Sequence, residues 1–148
     1  MSSKRRNTVA DIFNVVIIAG MLLLLALFVA LPFLTDLVSD RFWALAPSMI
    51  FFYAGGVLAL WFLYLLRKLI LSVRAGNPFT KQNVEYLKKL SFSLLFLMGD
   101  FIFISCFIPS VSKMLCIGLL LLGFLSARVL AYLVGRAAEY REEVDLTV

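Results

Sequence analysis

Asp100 and Arg128 each stand inside a long apolar run. An ionised side chain at the centre of a hydrocarbon layer costs at least about 2.5–3.5 kcal/mol, so each needs a compensating arrangement. Three chemistries would supply one. The two can form an ion pair that locks the third and fourth apolar runs together. Alternatively, Arg128 extends to the headgroup layer while Asp100 stays neutral and hydrogen-bonded. In the third, Asp100 serves a proton or cation pathway. The spacing favours the pair: counted from the same membrane face, Asp100 lies about ten residues in and Arg128 about six, an offset of roughly 6 Å that an arginine spans.

Other carriers of chemistry are scarce. The chain has no histidine and two cysteines, Cys106 and Cys116, ten residues apart. Zinc chemistry, histidine-held haem and triad catalysis therefore lose their usual residues, and the expectation is a non-enzymatic protein without metal or cofactor. The cysteines fall at similar depth on either side of Val111. A disulfide needs alpha carbons within about 7 Å, closer than most helix pairs come, so two small buried hydrophobes are the expected reading.

The elements that must position these residues follow from composition. Of 148 residues, 63% are hydrophobic and 16% charged, with a mean hydropathy of +1.00. A soluble domain carries about 45–50% apolar and roughly 25% charged residues, so lipid must solvate the excess. Four apolar runs, about 12–34, 42–66, 90–108 and 114–134, approach the ~20 residues that cross a hydrocarbon layer. The predicted fold is an all-α integral membrane protein: a single transmembrane domain, 1–148, built as a four-transmembrane-helix bundle with a cytoplasmic helical hairpin between spans two and three. The first run follows Lys4, Arg5 and Arg6 but exceeds the 7–15 residues of a signal core, so it is expected to remain as an anchor.

Charge sets the orientation. Lys4, Arg5, Arg6, Arg67, Lys68, Arg74, Lys81, Lys88, Lys89, Arg136 and Arg141 fall on one side, against Arg41 and Lys113 on the other. That asymmetry predicts an inner (plasma) membrane protein with both termini cytoplasmic. The basic excess then reads as topology and anionic-lipid contact, and no direct nucleic-acid binding is expected. Phe42 and Trp43 at one end of the second span, with Trp61 and Tyr64 at the other, fit aromatic belts. Gly20, Gly55, Ala59, Gly99, Gly123 and Ala127 predict close helix crossings, Gly55-Gly56 as a hinge being the weaker alternative.

Leu66, Leu69, Ile70 and Val73 recur at helical spacing, so the second helix is predicted to run to about Ala75. Gly76-Asn77-Pro78 then stops it, glycine suiting a left-handed residue and proline excluding helix before it. Thr80 is the predicted N-cap of the next helix, with Phe79 and Val84 at the positions of a hydrophobic staple, and Leu87 and Leu90 continue the apolar stripe. The tail, 135–148, sets Glu139, Glu142, Glu143 and Asp145 against Arg136 and Arg141. It is read either as folding back onto the basic hairpin or receiving a basic partner, or as a solvated helix end. Leu146 adds an apolar group at its tip.

Gly76-Asn77-Pro78-Phe79-Thr80, then Asn83 and Leu87, and the closing Glu142-Glu143-Val144-Asp145-Leu146-Thr147-Val148 resemble the bacterial YoaS-like family of small four-span membrane proteins, a domain of unknown function numbered 2975. The resemblance implies no established activity. It implies a setting, because such proteins are often encoded beside a small helix-turn-helix regulator of the Cro type. The functional expectation is a regulatory protein in the lipid bilayer that binds or sequesters such a regulator through the hairpin (Gly76, Pro78, Phe79, Thr80, Asn83, Leu87) and the tail (Glu142, Glu143, Asp145, Leu146). The alternatives are a small transporter or channel using Asp100, which four spans would require to be a homo-oligomer, and a structural subunit of a membrane complex.

Overall fold

The computed structural model describes residues 3–33 and 46–147. Four long helices follow one another: α1 (Ser3–Ala30), closed by a 3-10 turn at Leu31–Phe33, α2 (Ala46–Arg74), α3 (Lys81–Phe107) and α4 (Val111–Thr147). No strand occurs among the described residues. All four helices are long and apolar enough to cross a membrane, which makes this a multi-pass membrane protein. The expected start of the second span at Phe42 and Trp43, and the connection before it, lie outside the described residues.

The packing is that of a protein solvated by lipid. Val15, Val16, Leu22, Leu23, Leu119 and Leu122 are all more than half exposed, whereas the buried positions include Ala10, Ala127, Ala131 and Ala138. Lipid tails are as apolar as leucine, so burying leucine between helices gains little, and on the last helix the buried residues are the small Ala127, Ala131 and Ala138, which let backbones approach. On α4, Gly123, Ala127, Ala131 and Gly135 recur every fourth residue along one face. A methyl group built on Gly123 would lie 3.4 Å from Leu94 Cδ1, and one on Gly135 would lie 3.8 Å from Val84 Cγ2.

Close backbone approaches join α1 to α2, α2 to α3 and α3 to α4, and none joins α1 to α4 among the described residues. The expected bundle is thus an open row in chain order. α1 is tied to α2 at one end by an Arg74–Asp11 ion pair of 3.1 Å and by Arg67 Nε donating to Asn14 Oδ1 at 3.1 Å. Deeper in, Phe28 stacks on Tyr53 with ring centroids 5.7 Å apart. The apolar core lies where α2, α3 and α4 meet, with Leu65, Leu87, Leu90 and Ala131 buried and Phe62, Leu69 and Val134 packed against them.

Candidate functional site

The α2–α3 connection is the most tightly specified part of the chain. α2 ends one residue before the predicted Ala75, and Gly76 takes φ 84°. Gly76 N donates to Val73 O and Asn77 N to Ser72 O, the paired bonds of a glycine-terminated helix end. Only a residue without Cβ enters that conformation cheaply. Thr80 caps α3 as predicted, its hydroxyl accepting from Asn83 N at 3.3 Å.

Asn83 closes the turn. It is 3% exposed, and its amide donates to Ser72 Oγ and to Pro78 O, both at 2.6 Å. Ser72 in turn donates to Asn77 O at 3.1 Å. Both amide hydrogens are used, so the polar group is buried without an unmet donor. Leu87, one turn further on, is buried in the core. Phe79 remains 47% exposed, and Val84 is turned toward Gly135 of α4 rather than held for the staple alone.

The tail meets the basic hairpin as a straight helix, without folding back. α4 continues without interruption to Thr147, because no glycine, proline or turn signal interrupts residues 136–147. Antiparallel packing carries this extension past the α2–α3 turn, where Lys81 pairs with Glu142 at 3.1 Å and Arg141 donates to Asn77 Oδ1. Ala138 is buried there. Glu143 and Asp145 stay exposed, and Leu146 is 87% exposed.

The structure separates Asp100 from Arg128. Asp100 faces α2 at Gly55: a methyl group at Gly55 would collide with Asp100 Oδ2, which is buried with no hydrogen-bonding partner among the described residues. Gly56, the next residue, accommodates the ring of Phe28 from α1 in the same way. The glycine pair is therefore a two-sided close approach inside a continuous helix rather than a hinge. Beside it lies an apolar cleft of about 460 Å³ between α1, α2 and α3, lined by Phe28, Phe51, Phe52 and Phe101 together with Asp100.

Arg128 instead lies with its guanidinium carbon 6.0 Å from the centre of the Phe92 ring. The Gly123–Leu94 and Gly135–Val84 approaches set the register and place Arg128 level with about Leu90. That is ten residues, or roughly 15 Å, from Asp100. The ion-pair expectation fails because the apolar boundaries of the two helices are not level: the small-residue stripe of α4 slides it along α3.

Two smaller expectations also change. Among the described residues, no atom of another residue lies within 4 Å of a methyl group built on Gly99, so no close crossing is seen there. Cys106 and Cys116 are free thiols, Cys106 exposed and Cys116 half-buried, so Cys106 is not a buried hydrophobe. Sequence reasoning missed Asp11, Asn14 and Ser72. Asn14 was detectable as an amide inside an apolar run three residues from an acid, and Ser72 as a hydroxyl near the end of a leucine-rich helix.

The architecture defines a class: a small all-helical protein of four membrane-spanning helices with one long helix projecting beyond the others. Residues 33–148 match the family described as a protein of unknown function (DUF2975), and the chain belongs to that family. Searches of curated proteins and of solved structures return no match.

Proposed function

We propose that this is a non-enzymatic regulatory membrane protein that holds a small, basic helix-turn-helix DNA-binding regulator at the cytoplasmic face. The observation that carries the reading is the projecting end of α4. With about 20 residues from Val111 needed to cross the hydrocarbon, the helix leaves the layer near Ala131 and continues for roughly 24 Å. Lys81–Glu142 and Arg141–Asn77 steady it against the α2–α3 turn. Glu143, Asp145 and Leu146 are exposed around the end of this helix and supply acidic and apolar groups there. The eleven-to-two bias of basic residues supports a cytoplasmic position for this end.

An acidic surface competes with DNA phosphate for the cationic face of a recognition helix, and screening by salt weakens that attraction. The test is co-expression with a small helix-turn-helix regulator of the Cro type, the kind that the family resemblance implies as a neighbour, followed by membrane fractionation at low and high salt. Retention on membranes at low salt, with release at high salt or by Glu143→Lys with Asp145→Lys, is expected. A regulator that remains soluble beside the wild-type protein at low salt refutes the reading.

A further inference from the structure

We propose that the groove between α3 and α4 beside Arg128 binds the headgroup of an anionic phospholipid. The groove encloses about 480 Å³. Its floor is formed by Val84 against Ala131 and Gly135, where the absence of large side chains on α4 leaves room. Lys88, Arg128 and Arg136 wall it, with Tyr132 and Glu139. Three cations thus face one acid.

That acid is already committed. Glu139 Oε2 lies 3.6 Å from Arg136, whose Nε also donates to the Tyr132 hydroxyl at 3.3 Å. Lys88 and Arg128 have no carboxylate within ion-pair reach among the described residues. Two unpaired cations sharing one groove repel each other, and an anion between them removes that repulsion. A phosphodiester offers oxygens to a guanidinium and an ammonium together.

Depth selects a lipid as the source of that anion. Arg128 lies about one turn inside the hydrocarbon boundary near Ala131, and Arg136 just over one turn outside it. The groove therefore straddles the level at which phospholipid phosphates sit. Its continuation into the membrane is apolar: Phe92 and Phe96 on α3, with Leu121 and Leu125 on α4, are exposed along the path that acyl chains would follow. Phe92 fixes one side of the Arg128 guanidinium through its ring face and leaves the edges free to donate.

The test uses the full chain purified in mild detergent, with native mass spectrometry and thermal unfolding in added phosphatidylglycerol, phosphatidylcholine or inorganic phosphate. Phosphatidylglycerol is expected to stay bound and to raise the unfolding temperature saturably, whereas phosphatidylcholine and phosphate do neither. Lys88→Gln and Arg128→Gln should each weaken the lipid by roughly tenfold, the loss of one charge-assisted contact. Arg128→Lys should retain part of the affinity, and Lys89→Gln, a neighbouring cation outside the groove, should keep all of it. Equal stabilisation by phosphatidylcholine or by phosphate overturns the assignment, as does unchanged phosphatidylglycerol affinity in Lys88→Gln with Arg128→Gln. Should Arg128→Gln not fold, the exposed Lys88→Gln carries the same decision alone.

Discussion

Replacing Asn83 with alanine should destabilise the protein more than any surface change near it. The side chain makes two donor bonds of 2.6 Å, to Ser72 Oγ and Pro78 O, and is 3% exposed. Each such bond contributes a net ~1 kcal/mol, and stranding the half-buried Pro78 carbonyl adds about 1 kcal/mol more. The expected loss is about 3 kcal/mol. Ser72 Oγ keeps its own bond to Asn77 O, so it is not stranded. Removing Ser72 first takes away one of the two bonds, and Asn83→Ala in a Ser72→Ala background should cost about 1 kcal/mol less. Reversible unfolding in mixed micelles, followed by helical circular dichroism, measures all four corners of this cycle. Asn83→Asp, which swaps the donors for an acceptor facing Pro78 O, should lose at least as much as alanine. A loss below ~0.5 kcal/mol for Asn83→Ala, or strict additivity with Ser72→Ala, would show that the turn is held by packing and by its glycine instead.

Two further outcomes follow from the interior of the membrane. Gly55→Ala drives a methyl group into the Asp100 carboxylate and should destabilise by about 1–3 kcal/mol, relieved when Asp100→Ala is added. Gly99→Ala, on an open face one residue from Asp100, should be neutral or stabilising by up to ~1 kcal/mol, and the same unfolding assay separates the two. A double-mutant cycle between Asp100→Asn and Arg128→Gln should be additive within ~0.5 kcal/mol, because the groups are roughly 15 Å apart along the bundle. Coupling above 1 kcal/mol would contradict the register of α3 on α4.

The sequence by itself determined the class of protein and the number of crossings. Four apolar runs near the membrane thickness leave no soluble alternative, and the helix stop and start at Gly76 and Thr80 were readable because both act within a few residues of chain. Such signals are local, so the order of residues carries them whole. The role of Asn83 was half legible: its place in the turn motif was evident, but its partners Ser72 and Pro78 depend on how α2 lies beside α3. The uninterrupted tail helix was also present in the sequence, as a run from 136 to 147 without glycine or proline, but its acidic composition left a solvated helix end and a segment folded onto the hairpin both open.

Only the tertiary structure decided where the two intramembrane charges go. Hydropathy reports how deep a residue lies along its own helix, but says nothing of that helix's slide or rotation against its neighbour. Those two quantities come from small residues meeting large ones, Gly123 with Leu94, Gly135 with Val84 and Gly55 with Asp100. Contacts of this kind act over a few ångströms between segments far apart in sequence. They turn Asp100 toward α2 and bring Arg128 beside Lys88, where a pairing drawn from the sequence alone joins it to Asp100.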